Sequence, residues 1–386
     1  MWYEEGEPPP HLSSWPESQR LKVAMKDKKR GMKYTMPGLR VDLSGYIDSS
    51  LVKGPSFSHV DPSSNVQSLS GLIKNGKLTE AVEACGKILT SLGQGHDMAG
   101  KPSELTPYVL YIWSIRLQLL LAIRNYSGAI DEISSFEDLD APDLFLQYYP
   151  ANTQQGSMVP FSMRLLHAEI LCHSPAVIEA LPRIQRLKSD IEKVLISLHD
   201  SRAPTDHIRD WKERAHSADK LYAQILFVIG EKIHAASHFE KILPSLDSVE
   251  EKTEIGLAIS RIALESIDVK RAEETSEASG ADESRKEMYR GIREIFDGEL
   301  EKGRERMEVA AANNASMPLA NNLAVSRLYG GDPKAAAEGL LKAVRQVKAS
   351  TTLLDPLVMQ NLRAIIEVLY STADKKTIYD EIGQIV

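Results

Sequence analysis

Residues 332–344 read DPKAAAEGLLKAV, and five other stretches open in the same way: GKLTEAVEACGKIL (76–89), NYSGAIDEISSF (125–136), EKIHAASHFEKIL (231–243), DVKRAEETSEA (268–278) and ELEKGRERMEVA (299–310). Each lies at a turn signal such as Asn75-Gly76, Asp297-Gly298 or Gly330-Gly331-Asp332-Pro333. Each also places a small residue three positions after an apolar residue or proline: Ala81, Ala129, Ala236, Ala272, Gly303 and Ala336. The last four are 36, 31 and 33 positions apart, close to the 34-residue period of tetratricopeptide repeats. Packing explains the pattern. A repeat is a pair of antiparallel helices, and a small residue where they cross lets the backbones approach. A bulky side chain there is overpacked by about 1–3 kcal/mol.

Amphipathic stripes support the same reading. Leu110, Trp113, Leu117, Leu120 and Leu121 recur at 3- and 4-residue steps in 105–124. Similar stripes run through 206–229 and 352–370. No run of alternating apolar and polar residues argues for a sheet. The expected fold is all-α: a tetratricopeptide-like α-solenoid of about seven to eight hairpins over 62–386. The Ala81–Ala129 interval needs an inserted loop, visible as the glycine-rich 92–103. A second irregular stretch, 137–160, carries Tyr148, Tyr149, Pro150 and Gly156 to Pro160. It reads as a packed plug or an interaction loop, and the residues alone leave both open.

Residues 1–61 differ in character. Pro8 to Pro10, Pro16, Pro37 and Pro55 break any helical period, and Lys26 to Arg30 form a basic run. This segment is expected to be a disordered tail with at most a short helix near 17–30.

Composition removes several classes of function. Of 386 residues, 42% are hydrophobic and 26% charged, enough to fold rather than stay disordered. A net charge of −8 argues against a nucleic-acid-binding domain. Two cysteines, Cys85 and Cys172, exclude a disulfide scaffold. The acidic, proline-rich start is unlike a secretory signal, which implies a cytosolic address. The most apolar run, 109–123, is interrupted by Arg116 and Gln118 and is too short to span a bilayer, so it reads as a buried helix.

Catalytic motifs are missing from the pattern. Gly95 to Lys101 falls one residue short of a phosphate-binding loop, since Pro102 stands where the magnesium-binding hydroxyl belongs. No GxSxG elbow or HExxH helix occurs, and His234 and His238 merely share a helix face. No catalytic residue, metal ligand or cofactor is expected. Two candidate contact regions stand out. One is Tyr148, Tyr149, Met158, Phe161 and Arg164, because Tyr and Arg are frequent interface anchors. The same aromatics would equally fill a gap between hairpins. The other is Asn321 and Asn322, polar residues inside an apolar helix, which would line a groove or satisfy a neighbouring loop.

Local sequences also resemble a known family. Gly156-Ser-Met-Val-Pro-Phe-Ser-Met-Arg164 with Leu166 to Glu169, and Pro142-Asp-Leu with Tyr148-Tyr-Pro150, resemble signatures of the subunit-12 family of the trafficking protein particle (TRAPP) complex. Glu80-Ala-Val with Gly93-Gln-Gly95, and Leu319 to Val325 with Leu328-Tyr-Gly330, are similar to that family's first hairpin and C-terminal repeats. The resemblance covers roughly 66–350. It implies a non-catalytic scaffold of the TRAPP III assembly, which supports Rab guanine-nucleotide exchange and tethers vesicles between endoplasmic reticulum and Golgi. Its implied partners are other TRAPP subunits and, indirectly, a Rab GTPase and vesicle membranes. Its implied location is the intermediate compartment and Golgi. A kinetochore-associated role is also linked to the family. A co-chaperone-like adaptor gripping C-terminal peptides, with Asn321, Asn322 and Arg327 in its groove, is the main rival.

Overall fold

The computed structural model describes residues 11–27, 31–43, 62–314, 316–347 and 356–383. Among them are seventeen α-helices, and the only β-pairing is three isolated bridges. The all-α expectation holds. Contacts divide the chain into two units, Met1–Glu231 and Lys232–Val386.

The first unit contains α1 (Gln19–Lys26), α2 (Pro62–Lys74), α3 (Leu78–Ser91), α4 (Pro107–Ala122), α5 (Tyr126–Ser134), α6 (Phe161–Glu169), α7 (Ala180–Asp200) and α8 (Thr205–Val228). Helix α4 begins where the Thr106 hydroxyl accepts the Val109 N–H at 3.2 Å, with Pro107 in the first turn. Every residue from Val109 to Leu120 is buried. This helix is therefore the axis of the unit rather than an amphipathic surface helix, and its apolar stripe widens to the full circumference because neighbours pack on all sides. Buried positions of α7 are Ala180, Ile184, Leu187, Ile191, Val194 and Leu198, steps of four and three that form a coiled-coil-like seam against α8.

The second unit contains α9 (Lys232–Ile242), α10 (Val249–Glu265), α11 (Val269–Ala278), α12 (Glu283–Phe296), α13 (Leu300–Asn313), α14 (Met317–Tyr329), α15 (Pro333–Val347), α16 (Pro356–Leu369) and α17 (Thr372–Gly383). Each of α10 to α15 packs on the next, as stacked hairpins do. A larger apolar cluster lies across α14 to α16, but from α10 to α14 the clusters are small and arginine–glutamate pairs join neighbouring helices: Arg290 reaches Glu277 at 2.7 Å, and Arg306 reaches Glu294 at 2.7 Å and Glu287 at 3.0 Å.

One turn recurs through the repeats. In the α12–α13 turn the Gly298 N–H bonds the Ile295 carbonyl at 3.0 Å, and the Glu299 N–H reaches the Glu294 carbonyl at 2.8 Å. Residues 76, 124, 230, 267 and 331 close their helices with the same pair of bonds, each in the left-handed conformation. Counting five residues from each gives Ala81, Ala129, Ala235, Ala272, Gly303 and Ala336. The repeat residue in the third stretch is thus Ala235, one before the expected Ala236; both are buried. Gly303 departs from alanine for a steric reason. A Cβ there would stand 2.6 Å from the Gly291 carbonyl oxygen, and one on Gly291 would stand 2.7 Å from the Gly303 oxygen.

The tail expectation needs correction over the described part of 1–61. Residues 11–27 and 31–43 pack against the first unit, burying Leu12, Trp15, Leu21, Leu39 and Leu43. Apolar and aromatic residues spaced along a proline-containing segment give no period, yet they suffice to seat an extended strap in a preformed groove. Pro8 to Pro10, Pro55 and most of the basic run, 28–30, lie outside the described residues.

Candidate functional site

Three buried carboxylates receive the strap. Glu132, on α5, forms a two-pronged ion pair with Arg116 of α4, Nε to Oε2 at 2.9 Å and Nη2 to Oε1 at 2.8 Å. Both are fully enclosed, at 0% and 1% exposure. Arg116 also donates to the carbonyls of Val82 on α3 and Val41 on the strap, and the Val41 N–H donates back to Glu132 at 3.1 Å. One ion pair therefore links three helices and the strap. Its retention makes physical sense because each nitrogen of the guanidinium and both carboxylate oxygens find a partner.

Asp143 is the second carboxylate. It accepts the N–H groups of Tyr34 and Thr35 at 2.9 and 2.8 Å. Burial raises its pKa above the ordinary carboxylate value, outweighing these donors. Tyr148 donates its hydroxyl to the Met32 carbonyl at 2.9 Å, and Tyr149 donates to the Asp143 carbonyl at 2.8 Å.

The third is Asp140. Trp15 donates its indole N–H at 3.0 Å, and the guanidiniums of Arg164 and Arg186 lie at 2.9 and 3.0 Å. Burial pushes the carboxyl up, but Arg164, Trp15 and Arg186 more than offset it and hold its pKa below the usual value. Arg164 stacks 3.8 Å over the Trp15 ring and also reaches the Ser157 hydroxyl at 2.8 Å. Trp15 in turn stacks on Trp211, which also meets Phe161 in a T-shaped contact and carries the Arg214 guanidinium over its ring. Strap and loop also meet backbone to backbone: the Leu12 N–H donates to Ser157 at 2.9 Å and the Ser157 N–H to Leu12 at 3.1 Å. Gly156 permits this, because a Cβ there would meet the Leu12 oxygen at 2.4 Å. Farther along, the glycine-rich 92–103 loop pairs with Leu39 and Met36.

The structure thus gathers Tyr148, Tyr149, Met158, Phe161 and Arg164 into one region, as expected. Tyr148, Met158 and Arg164 are buried, however, and Tyr148 and Arg164 meet the chain's own strap, at Met32 and Trp15. Asn321 and Asn322 lie in the second unit. Asn321 accepts from Asn361 at 2.8 Å, and Asn322 faces the Met288 sulfur at 3.7 Å. Arg327 is tied to Glu308 at 3.0 Å. Sequence reading missed Trp15, Glu132, Asp140 and Asp143. The available signal was Arg116: a cation inside a fifteen-residue apolar run requires a buried acid nearby.

Among the described residues no group of three or more His, Cys, Asp or Glu is placed to hold a metal ion, and no helix is long and apolar enough to cross a membrane. Burial raises the thiol of Cys85 to about 12 and that of Cys172 to about 11, values of inert packed thiols.

No protein-family model matches the chain. Trafficking protein particle complex subunit 12 of Homo sapiens is 30% identical over 264 residues, covering 62% of this chain and 36% of that protein. The Mus musculus protein of the same name is 31% identical over 264 residues, covering 62% and 33%. This chain therefore spans about a third of the length of the curated relatives it matches, and its resemblance to subunit 12 is borne out across that region. Among solved structures, a tetratricopeptide repeat protein from Parabacteroides merdae aligns with a TM-score of 0.43 at 11% identity, over 79% of this chain and 98% of that one. The apo form of the quorum sensor NprR from B. thuringiensis aligns with a TM-score of 0.46 at 13% identity, over 87% and 90%.

Proposed function

We propose that the chain is a non-catalytic scaffold subunit of a TRAPP III-type tethering complex. In this reading it supports Rab guanine-nucleotide exchange and transport between endoplasmic reticulum and Golgi through protein–protein contacts of its helical repeats over 62–386. Its partners are other TRAPP subunits, with a Rab GTPase and vesicle membranes met indirectly at the intermediate compartment and Golgi. The similarity to human subunit 12 over 264 residues carries this reading. The chemistry agrees with it. Arg116, Glu132, Asp140, Asp143 and Arg164 hold helices and strap together, and stacked hairpins offer extended surface for docking. Asn321, Asn322 and Arg327 are engaged within the unit, which disfavours a groove that clamps peptide termini. Affinity purification of the tagged chain with mass spectrometry is the test. Recovery of TRAPP subunits is expected, and their absence under conditions that keep the chain folded defeats the reading.

A further inference from the structure

Helices α10, α12 and α14 share a cleft of about 410 Å³ within the second unit. That volume lies in the range of binding pockets. Residue spacing explains the walls. Glu254, Leu257 and Arg261 are three and four apart on α10, and Arg285 and Tyr289 are four apart on α12, so each set occupies one helix face. Leu257 and Leu319 are buried and, with Met288, make the apolar part of the lining.

The charged residues of the lining are two arginines, Arg261 and Arg285, and two acids, Glu254 and Asp282, so net charge favours neither sign of partner. Hydrogen bonding decides instead. Both acids are already answered, and by the same residue. The Arg285 guanidinium lies 2.5 Å from Glu254 and 3.6 Å from Asp282, and the Arg285 N–H donates to Asp282 at 3.0 Å. Ser284 is spent on the Ala310 carbonyl at 2.9 Å. Two donors remain. Arg261 is exposed and makes no ion pair or hydrogen bond among the described residues. Tyr289 is only 6% exposed, yet its hydroxyl bonds nothing among the described residues. The charges acting on that hydroxyl are those of Arg261, Glu254 and Arg285, all lining residues, which places it in the cleft. Burial raises its pKa above the ordinary value, so it keeps its proton at neutral pH and stays a donor. A buried hydroxyl without a partner is costly, and folded proteins seldom carry one.

The cleft therefore lacks an acceptor. An acceptor that also answers a guanidinium is a carboxylate. A phosphoryl group is recognised by clusters of arginines, whereas Arg285 is already engaged and Arg261 is the lining arginine left free among the described residues. We propose that this cleft receives a segment of another subunit in which an Asp or Glu lies beside a bulky apolar residue. The carboxylate accepts from Tyr289 and Arg261, and the apolar side chain covers Leu257, Met288 and Leu319. This deepens the scaffold reading and rests on it.

The experiment is co-expression of the full chain with the cognate TRAPP subunits, followed by purification on the tagged chain. Tyr289→Phe and Arg261→Glu are compared with wild type. Recovery of one subunit should fall roughly threefold or more in the first and roughly tenfold or more in the second. Neither side chain's polar group bonds anything within the chain, so both variants should melt within about two degrees of wild type, which separates lost binding from lost folding. A photo-crosslinking residue placed at position 314, an exposed part of the cleft lining, should capture an unphosphorylated peptide carrying Asp or Glu beside an apolar residue. If wild type recovers TRAPP subunits and both variants recover them equally, the cleft is not a docking site while the scaffold reading stands. A captured peptide that is phosphorylated, or that holds no acid, overturns the carboxylate partner. Failure of wild type to recover any subunit overturns both readings.

Discussion

Arg164 lies in a cage of Asp140, Ser157 and the Trp15 ring, and burial lowers its pKa against the pull of Asp140. Removing its counter-ion leaves a buried cation unanswered. Asp140→Ala should therefore destabilise the first unit by about 3–5 kcal/mol, measured by denaturant unfolding. Trp15→Ala should be milder for the helices but should sharply raise hydrogen exchange across 11–27. Unchanged exchange there would show that the indole does not anchor the strap. His167 gives a pH signature. Burial first, then Arg183 and Arg164, push it down to about 3, against an ordinary value of 6.5. The unfolded chain takes up this proton at higher pH than the folded one, so stability is full above about 6.5 and declines as pH falls towards 3. His167→Gln should flatten melting temperature between pH 6.5 and 4. Asp140, with its lowered pKa, contributes stability above the ordinary carboxylate range and loses it only below that range. Asp143 has the opposite sign, its burial penalty growing as pH rises through its raised value.

At the scale of elements, the repeats were readable because backbone geometry imposes them. A left-handed closing residue and a small residue five positions later occur in Gly76–Ala81, Gly298–Gly303 and Gly331–Ala336. The mutual approach of Gly291 and Gly303 is the tightest case, so Gly303→Val should force α12 and α13 apart and destabilise the second unit by at least about 2 kcal/mol in thermal or denaturant melts. A loss below half that would mean the helices separate easily. The strap was not legible. Its recognition depends on Glu132, Asp140 and Asp143, which lie more than ninety positions away in the chain and have no periodic relation to it. The irregular loops gave a sign of something packed at 143–164, but not of what filled the space.

For the whole molecule, the strap makes the first unit dependent on residues outside its repeats. A chain beginning at residue 62 should lose cooperativity in the first unit, leaving its α3–α5 groove with Arg116 and Glu132 unsealed. The ion-paired second unit should keep its own transition in calorimetry. Equal melting of the truncated and full chains would show that the strap is dispensable to stability.

The Trp15–Asp140 bond spans 125 positions. A ribosome makes residues 11–43 first, yet their seat is complete only once 140–164 have emerged. During that interval Leu12, Trp15 and Leu21 have nowhere native to go, while α2 to α5 can already form from local contacts. Docking of the strap is therefore a late event with a long loop to close, and substitutions such as Trp15→Ala should hasten unfolding far more than they slow the collapse of the helices.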